Sequence, residues 1–258
     1  MRRRTFIPTT AAAVLVALSG IATYSEADTR DAAPPSDGLP QGSEPVKLDP
    51  ADFTTEIDNP YWPMRPGSRW IYRETDTTGG RQKVVVTVTR RTKTVAAGIK
   101  ARVVRDVATE HGKPVEITED WYAQDKAGNV WYLGEDVRNY RNGKLADRHG
   151  SFEAGVRGAQ AGVVMPADPR PGLAYRQEYF KGEAEDRAAI VARGDDRVQV
   201  PAGFFAKDVL MTRELARTEP KTEELKFYVR GIGEVLSVHT DGDGERGELI
   251  RYTRGSGS

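Results

Sequence analysis

The sequence predicts an all-β protein, a large curved antiparallel sheet or incomplete barrel built from two duplicated β-meander halves. Two observations carry that prediction. Short runs rich in Val, Thr, Tyr and Trp follow one another between Gly- and Asn-bearing turns, and landmarks in the first half recur 105 residues later. A third, the stretch Asp120–Glu135 (DWYAQDKAGNVWYLGE), reads as a hairpin in its own right. Its β-formers Trp121, Tyr122, Val130, Trp131 and Tyr132 flank a turn in which Gly128 and Asn129 tolerate positive φ. Trp121 and Tyr122 are neighbours, so the period of two sends one ring to each face, and the same holds for Trp131 and Tyr132.

Taken in order, residues 1–27 look like a secretory signal. Arg2, Arg3 and Arg4 precede an apolar run from Ala11 to Ala22 and small residues ending at Ala27. The run is too short to span a bilayer, so the expectation is cleavage without stable membrane insertion. Arg3-Arg4-Thr5-Phe6-Ile7 resembles the twin-arginine export motif, and both that route and the general one stay open. Residues 28–52 carry five Pro among Ser, Gly and Asp and read as a disordered Pro-rich linker. A single β domain is expected over 53–254, with repeat halves at about 65–153 and 170–254.

That domain opens with a Pro-rich turn, Asn59–Gly67, whose Tyr61 and Trp62 suit a plug at the end of the sheet. Strands are expected at Arg69–Asp76, Gln82–Val95, Lys100–Thr109, Val115–Gln124, Asn129–Tyr140 and Lys144–Phe152. Gly155, Gly158 and Gly162, Gly172 just beyond, and Pro166 and Pro169 predict a long irregular loop from Ala154 to Pro171. A strand from Tyr175 leads into an acidic cluster ending at Asp186. Further strands follow at Ala188–Arg193, Arg197–Val200, Lys207–Arg217, Glu223–Arg230, Glu234–His239 and Gly247–Tyr252.

The offset of 105 places Arg65-Pro66-Gly67 on Arg170-Pro171-Gly172, Val95 and Gly98 on Val200 and Gly203, and Gly128 and Val130 on Gly233 and Val235. A one-residue slip brings Tyr122 onto Tyr228. Two halves of about five strands would curl together and hide their edges, and a concave face would then be the default ligand site. The hairpin motif, with MPADPRPGLAYRQEYFKGEAED from Met165 to Asp186, resembles the signatures of a widespread family of secreted bacterial β-rich proteins without an assigned activity. The resemblance covers about 59–252 and implies an exported single domain. It supplies no catalytic residues.

Composition excludes several function classes. Removing residues 1–27 takes away three Arg and one Glu, leaving 35 basic and 37 acidic residues, so there is no basic excess to attract nucleic acid. With no Cys there is no disulfide, thiol catalysis or zinc ribbon. The three His form no paired ligand motif and read as surface residues. No Gly-x-Ser-x-Gly elbow or phosphate loop is present, so no catalytic residue is assigned.

Two clusters remain. Glu178, Glu183, Glu185 and Asp186 could hold a hard cation such as Ca²⁺, or could be solvated charges balanced by Arg176, Lys181 and Arg187. Asp241-Gly-Asp-Gly-Glu245 has alternating acids, but Arg246 stands where a calcium loop needs Gly, so a hairpin loop is expected there. The rings Trp121, Tyr122, Trp131, Tyr132, Tyr175 and Tyr179 either line a binding face or fill the core. The expected function is a secreted or envelope, non-enzymatic binder of an apolar or amphipathic, lipid-like small molecule. The alternative is a divalent-metal-binding protein or metal-dependent hydrolase.

Overall fold

A computed structural model of the protein describes residues 38–218, 223–240 and 244–256. The expected signal and its twin-arginine motif, like Asp241–Asp243, lie outside the described residues. Apart from a 3-10 turn at Pro50–Asp52, the regular elements described are all strands. The chain enters with β1 (Phe53–Thr54) and continues as a meander of long strands. These are β2 (Arg69–Thr75), β3 (Arg81–Thr94), β4 (Lys100–Glu110), β5 (Lys113–Asp125) and β6 (Val130–Arg141). Short strands β7 (Lys144–Asp147) and β8 (Phe152–Glu153) pair with β6, and β9 (Gln160–Met165) follows. Beyond lie β10 (Ala174–Arg176), β11 (Glu178–Tyr179), β12 (Asp186–Gly194), the hairpin β13 (Val198–Val200) and β14 (Gly203–Phe205), β15 (Val209–Ala216), β16 (Glu223–Val229), β17 (Gly233–His239) and β18 (Arg246–Thr253).

The sheet runs in the order β10-β12-β15-β16-β17-β18-β2-β3-β4-β5-β6-β9-β11, antiparallel at each pairing. Its two ends are consecutive in the chain, separated only by Gln177. One segment therefore pairs with β12 through Ala174–Arg176 and with β9 through Glu178–Tyr179, drawing the sheet into a nearly closed barrel. Closure removes the open edges that a sheet of this size would otherwise expose.

The crossing is tight. A Cβ on Gly162 would lie 2.3 Å from the carbonyl oxygen of Gln177, so only a residue without a side chain fits. This corrects the expectation of an irregular loop between Ala154 and Pro171. Gly155, Gly158 and Gly162 resemble loop punctuation in sequence, yet Ala161, Gly162, Val163 and Met165 form a buried strand against β6 and β11.

The linker expectation is corrected in part as well. Leu39, Val46 and Leu48 pack on the core, and the backbone N–H of Arg176 donates to the Pro40 carbonyl at 2.7 Å. The Arg176 side chain, 1% exposed, donates to the carbonyls of Gly42, of Glu44 at 2.8 Å and of Ala161 at 2.8 Å. A buried guanidinium needs such acceptors, and residues 38–44 provide them across the closing segment.

One strand register, that of β3 and β4, recurs in β12 and β15 at the offset seen in sequence. Lys83 opposite Thr109 and Val85 opposite Val107 become Ala188 opposite Glu214 and Ile190 opposite Thr212, each 105 residues on. The next register does not recur: Asp106 opposite Thr118 would fall on Met211 opposite Glu223, but Met211 pairs with Phe227. The β5–β6 and β16–β17 hairpins each carry a bulge, beside Tyr122 and beside Tyr228. The Asn59–Gly67 turn seals part of the interior: Tyr61 is buried, and the Trp62 ring lies 5.8 Å from that of Tyr122 and 5.9 Å from that of Tyr228.

Candidate functional site

Alternate residues on the curved strands point into the barrel. Trp70, Tyr72 and Glu74 do so from β2, Val104, Asp106 and Ala108 from β4, Glu116, Thr118, Asp120 and Tyr122 from β5, and Glu224 and Lys226 from β16. With Tyr132 and Glu135 from β6 and Glu178 from β11 they enclose a cavity of about 560 Å³. That volume falls in the range of small-molecule sites.

Its charge is one-sided. Among the described residues eleven carboxylates line it, against the single ammonium of Lys226 and the imidazole of His149. Two pairs of carboxylates occupy directly opposed cross-strand positions, where like charges repel. Glu214 faces Glu224, and the Lys226 Nζ lies between them at 2.9 and 3.3 Å. Thr212 and Tyr228 hydroxyls also donate to Glu214, at 2.9 and 3.2 Å.

Asp120 faces Glu135 with no such cation among the described residues, although the Tyr132 hydroxyl donates to Asp120 at 2.7 Å. Among the described residues the Oε2 of Glu178, a residue only 8% exposed, meets no donor, nor does the Oδ1 of Asp106.

Burial, reinforced by the neighbouring charges, lifts these acids far above the usual carboxylate range. Asp120 is pushed up to about 7 by burial, with Glu116 and Glu119 adding. Burial likewise carries Asp106 and Glu116 to about 7 and Glu74 and Glu234 to about 8. Glu135 is raised by burial and by Asp120, and Glu178 by burial and by Asp186. Lys226 responds oppositely: burial lowers it, but Glu214, Glu224 and Glu234 together hold it well above its ordinary value.

Of the six rings expected to bind, Tyr122 and Tyr132 line the cavity, stacked with centroids 4.8 Å apart. Trp121 and Trp131 take the outer face, as the period of two requires once their neighbours point inward. There Lys93 Nζ sits 3.1 Å over the Trp121 ring, while Trp131 packs edge-on against Phe53 and donates to Asp125 at 2.7 Å. Tyr175 is fully buried outside the cavity lining, and Tyr179 borders a small surface cleft beside Arg176.

The four acids proposed for a metal do not converge. Glu178 and Asp186 face the cavity, Glu183 lies at its wall 3.7 Å from the His149 Nδ1, and Glu185 turns to the Gly182 N–H and to Arg217. Among the described residues no three His or carboxylate side chains are arranged to hold a metal ion. His111 and His149 are exposed as expected, whereas His239 is buried between Glu224 and Glu245, because β17 carries it beside both strands.

Sequence reasoning passed over Glu74, Asp106, Glu116, Asp120, Glu135 and Glu234. Their signal was present: Glu116, Thr118, Asp120 and Tyr122 alternate on one strand, so a cavity-lining Tyr shares its face with three polar residues. A charged face normally reads as the solvent face, and that habit hid them.

No protein-family model matches the chain, and no curated protein matches it. Two solved structures resemble it. One is of a lipoprotein candidate from Parabacteroides distasonis, 15% identical over 75% of this chain and 98% of that one, with a TM-score of 0.39. The other is of a β-barrel-like protein of the domain of unknown function DUF1849 from Brucella abortus. It is 11% identical over 73% of this chain and 98% of that one, with a TM-score of 0.38.

Proposed function

We propose that the chain is an exported, non-enzymatic binding protein whose barrel interior takes up a small amphipathic molecule. One observation carries this reading: a cavity of about 560 Å³ lined both by the rings of Trp62, Trp70, Tyr72, Tyr122 and Tyr132 and by carboxylates. Rings supply apolar contact area, while fixed polar groups orient a ligand. Of the apolar and amphipathic ligands expected from sequence, this mixed lining favours the amphipathic one. Export to the cell envelope belongs to the same proposal and draws on the leader-like residues 1–27. Membership of the secreted family resembled by the two motifs belongs to it too.

The test is native mass spectrometry of the purified protein, followed by solvent extraction. A bound small molecule is expected, retained by the native protein and released on unfolding. Displacement of a fluorescent amphiphile by that extract would complete the assignment. A protein that carries no extra mass and binds no amphiphile would overturn it.

A further inference from the structure

Lys226 shows how this barrel seats an ammonium. Its Nζ lies between two directly opposed carboxylates, Glu214 and Glu224, at 2.9 and 3.3 Å, with the phenol of Tyr228 donating to Glu214 from the same wall. The other half of the barrel holds a second pair of directly opposed carboxylates, Asp120 and Glu135, at a position that does not repeat the first. Under the slip that places Tyr122 on Tyr228, Asp120 falls on Lys226. Asp120 faces Glu135 across the β5–β6 pair, Tyr132 donates to Asp120, and among the described residues no lysine or arginine reaches them from the lining.

We infer that the ligand itself carries the missing charge: it is a linear aliphatic polyamine, with one ammonium seated between Asp120 and Glu135. This rests on the reading of the cavity as a ligand site. A second observation, away from that pair, points the same way. Glu178 is 8% exposed, and its Oε2 meets no donor among the described residues. A buried carboxylate oxygen without a donor is unfavourable until a cationic donor reaches it.

Several ammonium groups suit it, because among the described residues eleven acidic side chains line the cavity beside the one ammonium of Lys226. A compact divalent ion fits poorly, since no three of these side chains converge on a point among the described residues. An extended chain with charges spaced along it reaches scattered carboxylates one at a time. Its methylene segments can lie against the stacked rings of Tyr122 and Tyr132, and an ammonium beside a ring face gains further attraction.

Calorimetric titration of the intact protein at fixed ionic strength and pH 7.5 tests this, with spermidine, calcium chloride and oleate as separate probes. Saturable spermidine binding is expected, weakened about tenfold or more in the Asp120→Asn/Glu135→Gln double variant, since each amide removes a charged acceptor. Both substitutions preserve side-chain shape and relieve repulsion, and a thermal melt of the variant checks that the barrel is intact.

Spermidine binding unchanged in the double variant would overturn the seat. Oleate binding without spermidine binding would overturn the polyamine while leaving the cavity a ligand site. Stronger binding of calcium than of spermidine would replace the polyamine with a metal. Silence from all three probes would overturn this inference, and the mass-spectrometric test then decides the binding function beneath it.

Discussion

Asp120 and Glu135 stand on directly opposed positions of β5 and β6, and burial raises both. In the ligand-free protein at pH 8 each carboxylate therefore works against the fold. Asp120→Asn or Glu135→Gln is expected to stabilise the free protein by on the order of 1 kcal/mol, measured as a higher urea midpoint at pH 8. Lys226 is the opposite case. Lys226→Met would leave Glu214 and Glu224 opposed and uncompensated, lowering stability by about 3–5 kcal/mol in the same assay. Neither role could be assigned from identity alone. The Trp-Tyr doublets guarantee that one ring of each pair faces inward, but which one depends on the strand's face toward the barrel axis. The tyrosines point inward, and the carboxylates at even positions of β5 go with them.

At the scale of elements, the segment Ala174–Tyr179 decides whether the sheet is a barrel. It pairs on both sides only because it breaks register at Gln177 and because Gly162 lets its backbone pass. Gly162→Ala would force a methyl group against the Gln177 carbonyl. It should lower stability by about 1–3 kcal/mol and raise hydrogen exchange in β9 and β11 before it does so in β3 and β4. Equal loss of protection across all four strands would argue against a local closure. The long meander strands were legible in sequence because their alternation and turn residues agree. β9 was not, since its glycine serves a close backbone crossing that no local pattern reports. The same holds for residues 38–44, whose Pro and Gly composition reads as a linker until Arg176, far along the chain, supplies donors for their carbonyls.

Across the whole molecule, the buried acids set the response to pH. A carboxyl whose folded pKa lies above its unfolded value keeps its proton in the native state after the unfolded chain has lost it. Native protein then binds more protons than unfolded protein, and stability falls as pH rises. Asp186 is raised to about 6, Asp106, Glu116 and Asp120 to about 7, and Glu74 and Glu234 to about 8. The melting temperature of the ligand-free protein should therefore decline between about pH 5 and pH 9, most steeply from about 6 to 8. A flat profile in scanning calorimetry would contradict the buried acidic interior. A cationic ligand favours the ionised carboxylates, so its affinity should strengthen over the same interval and its binding should release protons. By itself the sequence determined the all-β class and most strand positions, because alternation and turn chemistry are local signals that survive in one dimension. Only the tertiary structure decided that the sheet closes through Gln177 and that the charged face is the inner one. Both depend on which residues meet across long separations, and strand periodicity alone cannot tell a solvent face from the wall of a cavity.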